Sequence, residues 1–315
     1  MHSFGKLGWI GLGNMGSRIA KRLRIAGYPL IVYNRDRSKA EELASQGAEL
    51  AVSPVELAAD ADVIFSCLSD DAAMRSVYFG ADGVLRSAKP GAHIVEMSTV
   101  APETSLYLFH AGRERGVSVS DVAISGSTPA AESGSLTLFG GGDRQAFELL
   151  APIFRTIARQ WFYMGPSGSG MAMKLVVNAI LGVGMQAIAE ALALGGQLGL
   201  SRDLLFDTLG KTAVVAPAHL GKLATAKRND YTPQFPLRLM RKDFDLVLSK
   251  GADLRVEMPA TLAAADRNAV EAVHGGEEDF SAVIRLMEEL TEQDRFVPPS
   301  RYGRFEVEPS KSIGQ

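Results

Sequence analysis

Cysteine is nearly absent: Cys67 is alone among 315 residues. A lone thiol cannot staple a fold, which excludes a disulfide framework. Cys67 closes an apolar run after Val63, Ile64 and Phe65, so it reads as a small buried hydrophobe rather than a nucleophile. An excess of either charge is missing too. The formal net charge is -3, and Lys and Arg are scattered, which argues against a nucleic-acid partner. The five histidines, His2, His93, His110, His219 and His274, lack metal-ligand spacing, and no metal is expected. Met1 to Leu7 lacks the long apolar stretch of a signal peptide, so a cytoplasmic location is the expectation. Leu175 to Leu200 is long enough to imitate a membrane span. Asn178, Gln186, Glu190 and Gln197 interrupt it, so no membrane partner is expected.

A hydrophobic content of 46% is ample for a packed core, and the length suits two domains. The first half alternates strand and helix. Lys6 to Ile10 reads as a strand, Ser17 to Ala26 as a helix stopped by Gly27, and Leu30 to Tyr33 as a second strand. Ser38 to Gln46 is a helix ended by Gly47. Val63 to Leu68, His93 to Met97 and Ser118 to Ala123 are further strands, and Trp161, Phe162 and Tyr163 read as an apolar strand rather than a stacking platform. This alternation predicts a Rossmann-type, doubly wound parallel sheet wrapped by helices. Continuous apolar strands are what two covered sheet faces require.

Between the first strand and the first helix stands Gly11-Leu12-Gly13-Asn14-Met15-Gly16. Gly11 permits the tight turn, Gly13 lets a pyrophosphate approach the backbone, and Gly16 lets helix pack closely on strand. The helix start then offers N–H groups and a positive dipole end to phosphate. A glycine-rich turn with no ligand is the bland alternative; the strand-turn-helix context favours a nucleotide. The second strand ends in Asn34-Arg35-Asp36-Arg37. A neutral Asn34 followed by Arg35 favours NADP, because a guanidinium pairs with the 2′-phosphate. NAD remains open if Asp36 takes the ribose and Arg35 is a solvated charge.

The segment Trp9 to Gly16 resembles the β-hydroxyacid dehydrogenases. Three more segments resemble that family in its order: Asp121 to Ser127, Gly165 to Lys174 with Asn178, and Lys242 to Leu246. The resemblance implies that Lys174 is the catalytic acid/base and that Asn178 orients the substrate. It implies substrate binding by Ser125 and Gly126 with Ser127 beside them. It places Leu68, Ser69 and Thr99 by the nicotinamide ribose, and Lys242 reaching the cofactor from a second domain. It also implies a homodimer or homotetramer and a small carboxylate-bearing substrate of the 3-hydroxyisobutyrate, glyoxylate or succinic semialdehyde type. Two positions depart from the pattern: Ala123 replaces a usual proline, and Ser127 a usual glycine. A hydroxyl at Ser127 narrows the pocket and leaves the substrate unspecified.

The chemistry fits these residue types. Hydride delivery to a carbonyl leaves a developing alkoxide that needs a proton or a positive charge beside it. A buried lysine supplies either, and its pKa falls near another cation. Lys174 and Asn178 are separated by i, i+4 and share a helix face. Gln186, Glu190 and Gln197 read as a polar strip near that face, as on a helix buried between domains. Taken singly, Lys174 could be a surface lysine, Ser125-Gly126-Ser127 a turn, and Lys242-Asp243 a surface pair; on sequence alone that last reading wins.

After Gly170 the pattern is helical: Asp203 to Leu209, Phe244 to Lys250, Pro259 to Val273 and Phe280 to Glu292 are predicted helices, with Pro233 and Pro236 in a loop. The expected division is a nucleotide-binding domain over 1–164, a linking helix over 165–194, a helical domain over 195–295 and a poorly ordered tail over 296–315, with the site in the cleft between domains. Two rivals stand: an imine reductase-like enzyme, which generally carries Asp or Tyr at the position of Lys174, and a non-catalytic NADP-binding interaction module.

Overall fold

A computed structural model describes residues 4–292; the tail expected to be poorly ordered lies outside them. The chain opens with β1 (Leu7–Ile10), α1 (Gly16–Ile25), β2 (Leu30–Tyr33), α2 (Arg37–Ser45), β3 (Glu49–Leu50), α3 (Pro54–Asp60), β4 (Val63–Ser66) and α4 (Asp71–Phe79). It continues through β5 (His93–Glu96), α5 (Pro102–Arg113), β6 (Ser118–Ser125), α6 (Thr128–Ser133), β7 (Leu136–Gly142), α7 (Arg144–Leu149), α8 (Ala151–Ile157) and β8 (Ala158–Gly165). Six helices follow: α9 (Ser169–Gln197), α10 (Arg202–Leu209), α11 (Pro217–Ala226), α12 (Leu237–Asp253), α13 (Pro259–Gly275) and α14 (Val283–Glu292).

The strands form one sheet in the order β3-β2-β1-β4-β5-β6-β7-β8. All neighbours run parallel except β6 and β7. The central strands β1, β4 and β5 are buried at every residue, because helices cover both faces. One face packs Trp9, Val32, Phe65 and Val95 under α1 and α8, and the other packs Ile10, Ile64, Ile94 and Tyr78. Local caps start the helices: Asp36 for α2, Ser53 for α3, Asp70 for α4 and Asp143 for α7, each accepting a backbone N–H of the first turn.

The fold is the Rossmann-type sheet followed by helices that the alternation predicts; it adds β3, the helices α3 to α8 and α11 to the elements read from the sequence, and four further differences have a local cause or consequence. The strand β7 is absent from the sequence reading because its end, Gly140-Gly141-Gly142, imitates a loop. Glycine stands at 140 because the Phe147 ring fills the place a Cβ would take, 2.0 Å from its nearest atom. Second, α12 begins at Leu237, not Phe244. Third, the stretch from Phe280 opens with a 3₁₀ turn over residues 280–282, where Asp279 accepts from the Ser281 amide, before α14 begins. Fourth, the polar strip of α9 is not one strip. Asn178 and Gln186 are buried, while Glu190 and Gln197 are exposed.

The 29 residues of α9 give a helix about 44 Å long. Among the described residues it is the one helix long and apolar enough to cross a membrane. Here its buried side, with Met185, Ile188 and Leu192, forms a core with Met240 and Phe244 of α12 and Ile284 of α14. Its first turns lie against β6 and β7, so the helix joins the sheet to the helical part.

Candidate active site

The glycine loop sits at the carboxyl end of β1. Gly11 has φ +91°, and a Cβ there would meet the Cys67 carbonyl oxygen at 2.3 Å. Only glycine tolerates that conformation at such close range. A Cβ on Gly16 would meet the Gly11 oxygen at 2.0 Å, while a Cβ on Gly13 would meet nothing within 4 Å. Two glycines are therefore required by packing and the third by open space outside the loop. The amides of Gly13, Asn14 and Met15 donate to no acceptor among the described residues. Unpaired N–H groups, a helix start and an uncrowded glycine fit the phosphates of a dinucleotide. Leu12 contributes backbone alone, since its side chain lies in the core.

The end of β2 is settled by hydrogen bonds. Asn34 Oδ1 accepts from the Leu12 amide at 2.8 Å, and its Nδ2 donates to the Asp36 carbonyl at 2.8 Å. Both ends of this amide hold the glycine loop in place. Asp36 caps α2 through the Ser38 amide and hydroxyl at 3.2 and 2.7 Å, bonds that hold its carboxyl below the usual range. Arg37 pairs with Glu41. Arg35 is exposed and has no partner among the described residues.

Leu68 and Ser69 follow β4, and Thr99 follows β5. A buried carboxylate that the sequence reading missed joins these two loops. Glu96 is 0% exposed and accepts from the Ser66 hydroxyl and from the Ser98 amide. The Ser66 hydroxyl is 2.5 Å from the Tyr78 hydroxyl, and Ser98 Oγ accepts from the Leu68 amide at 2.7 Å. Burial raises the pKa of Glu96, opposed by these bonds, and burial also raises that of Tyr78. Burial, reinforced by Glu96, pushes the Cys67 thiol up to about 12. Cys67 is half-buried rather than fully buried, and its raised pKa disfavours the nucleophilic thiolate. The signal for Glu96 was present: a lone carboxylate in an apolar strand.

From the other side come α9 and α12. Lys174 is half-buried. Burial lowers its pKa and the Lys242 ammonium lowers it further, while Asp243 and Cys67 oppose the fall. Lys174 is thus within electrostatic reach of Asp243 and Lys242 on α12 and of Cys67 after β4. Lys242 donates to the Thr99 carbonyl and forms an ion pair with Asp243 at 3.0 Å, tying the helical part to the β5–α5 loop. The Lys242-Asp243 pair is not a solvated surface pair, as sequence alone suggested: Asp243 is 1% exposed. Asn178 is also fully buried, and its Nδ2 donates to Asp243 Oδ2 at 2.5 Å. The structure thus makes Asn178 a partner of Asp243 with no surface of its own.

The segment expected to hold substrate ends β6. Ser125 is the last strand residue and, like Ser127, is half-buried. Neither hydroxyl has a partner among the described residues, and Ser127 does not use its own to cap α6. Gly126 has φ +136°, and a Cβ there would press on Leu136 at 2.9 Å. Ala123, where the resemblance led one to expect proline, is buried and pairs with Phe139. Upstream in the same strand, Asp121 accepts from the Gly168 amide at 2.7 Å and the Met171 amide at 3.0 Å. Burial raises its pKa, and these N–H groups oppose the rise. Among the described residues no group of three or more His, Cys, Asp or Glu could hold a metal.

Residues 6–165 match the family model of the NAD binding domain of 6-phosphogluconate dehydrogenase. Residues 168–287 match that of the NAD-binding part of NADP-dependent 3-hydroxyisobutyrate dehydrogenase. The chain is 37% identical to glyoxylate/succinic semialdehyde reductase 1 of Arabidopsis thaliana, over 90% of this chain and 98% of that protein. It is 33% identical to 2-(hydroxymethyl)glutarate dehydrogenase of Eubacterium barkeri, over 91% of this chain and 96% of that protein. Among solved structures, a 3-hydroxyisobutyrate dehydrogenase from Salmonella typhimurium superimposes with a TM-score of 0.82 at 27% identity, covering 90% of this chain and 99% of that one.

Proposed function

The chain belongs to the β-hydroxyacid dehydrogenases, NAD(P)-dependent oxidoreductases acting on CH–OH groups, and from that premise we propose that it uses NADPH to reduce a short aldehyde-acid. The observation that carries this reading is Lys174: a half-buried ammonium whose pKa is lowered by burial and by Lys242, on the helix that joins sheet to helical part. The nicotinamide supplies or accepts hydride. Lys174 gives a proton to the oxygen that becomes a hydroxyl, and takes it back in the reverse direction. Asp243, held by Asn178, opposes the fall in the lysine's pKa. Ser125 and Ser127 offer hydroxyls without partners among the described residues, and Gly126 an exposed backbone, to the substrate carboxylate. The lysine also weighs against an imine reductase, and its setting against a non-catalytic module.

The preference for NADPH rests on the end of β2. Asp36 is engaged in capping α2 and Asn34 in holding the glycine loop, whereas the Arg35 guanidinium has no partner among the described residues. Relatives with names matching glyoxylate, succinic semialdehyde and 3-hydroxyisobutyrate define the panel to assay. Steady-state kinetics with NADPH and NADH against glyoxylate, succinic semialdehyde and methylmalonate semialdehyde test the reaction. Arg35→Ala should raise the NADPH KM by about 10- to 100-fold, the equivalent of one charge-assisted hydrogen bond of about 1.5–3 kcal/mol, and leave the NADH KM nearly unchanged. Equal effects on the two cofactors would remove the NADPH assignment.

A further inference from the structure

We propose that Asp121 is a positioning residue for the reaction: its buried carboxylate anchors the start of α9 and so fixes Lys174 relative to Ser125 and Gly126. The inference rests on the reading of Lys174 as proton donor.

The start of α9 has no cap of its own. Gly168, at the N-cap position with φ +90°, has no side chain to offer, and the first N–H groups of any helix lack partners within it. Asp121 supplies the missing acceptors from 47 residues upstream. Oδ1 takes the Gly168 amide at 2.7 Å and Oδ2 the Met171 amide at 3.0 Å. The residue is 1% exposed, and no Lys, Arg or His forms an ion pair with it among the described residues. The N–H groups and dipole of α9 are what meet its carboxyl oxygens.

The space around the carboxylate is shaped for it. A Cβ on Gly141, its cross-strand neighbour in β7, would come within 2.7 Å of Oδ1. A Cβ on Gly170 would come within 2.9 Å of Oδ2 and 2.5 Å of the Asp121 carbonyl. Glycine at both positions lets strand and helix close on the acid. Along β6, Ser125 lies four residues beyond Asp121, about 13 Å in extended chain. Along α9, Lys174 lies three residues beyond Met171, about 4.5 Å of helix rise. One anchor therefore sets both arms of the angle between the proposed carboxylate-binding strand end and the proposed proton donor. A misplacement of about 1 Å at such a site costs on the order of 100-fold in rate.

Asp121→Asn keeps the shape and turns one acceptor into a donor facing an N–H group. It should lower kcat, corrected for folded enzyme, by about 10- to 100-fold, with the NADPH KM within about twofold because the glycine loop is untouched. Hydrogen exchange of the amides of Gly168 to Met171, followed by mass spectrometry of peptides over residues 165–175, should quicken in the variant. In the wild type these amides should exchange as slowly as the core of α9. Wild-type exchange as fast as a frayed helix end overturns the proposal without any variant. So does a kcat loss matched by equal losses in cofactor binding and folded fraction, which marks general destabilisation. A wild type that turns over no aldehyde-acid would sink the reading of the reaction, while the exchange comparison would still decide whether Asp121 anchors α9.

Discussion

Lys174 illustrates how a residue's charge state can be read from its surroundings. Burial and Lys242 both favour the neutral amine, so its pKa lies below that of a free lysine, with Asp243 limiting the fall. The sign of the pH dependence follows. Reduction needs the protonated ammonium, so kcat/KM for reduction should be level at low pH and fall as pH rises through the lowered pKa. Oxidation needs the free amine and should rise over the same interval. Lys174→Arg keeps the charge but holds its proton throughout. It should lose at least about 100-fold in kcat and lose the inflection as well. A pH profile from 6 to 10 checks both; an inflection that survives in the arginine variant would assign it to another group.

The turn between β1 and α1 separates two jobs that the glycine spacing alone leaves merged. A Cβ at 13 is free of protein contact and a Cβ at 16 runs into the Gly11 oxygen at 2.0 Å. Gly13→Ala should therefore leave the melting temperature within about a degree while raising the NADPH KM about 10-fold or more, because the methyl group occupies the approach of the phosphates. Gly16→Ala should cost about 1–3 kcal/mol through overpacking, seen as a fall of several degrees in melting temperature. Thermal melts beside NADPH titrations distinguish the two variants. A stable Gly16→Ala protein with normal affinity would mean that helix and strand are not held as closely as described.

On the scale of the whole molecule, α9 carries an apolar stripe that nothing among the described residues covers. Val176, Ile180 and Leu194 are 55%, 69% and 62% exposed, and with Ala187 they follow the spacing of one helix face. An exposed stripe of this length on the central helix supports the homo-oligomer that the family resemblance implies, with a second copy of the chain as its cover. Light scattering after size exclusion should give a dimer or larger at micromolar concentration, and Ile180→Lys should shift it toward monomer. A wild-type monomer would leave the stripe unexplained and remove the oligomer.

The glycine loop, the i, i+4 pair of Lys174 and Asn178 and the alternation of strand and helix were all legible in the sequence, because each depends on neighbours within a few residues. By itself the sequence determined the Rossmann-type sheet and the helices after it. Through its likeness to a family it named the residues for a nicotinamide enzyme. It hid β7 behind three glycines, and it made Asp243 look like half of a surface pair. Only the tertiary structure decided what Glu96, Asp121 and Asp243 do. Each is a carboxylate with a hydrogen-bond partner 30 to 65 residues away in the chain, and burying it is tolerable because such distant donors join the near ones there. No local pattern records such a meeting, since packing of the whole chain is what brings those groups together.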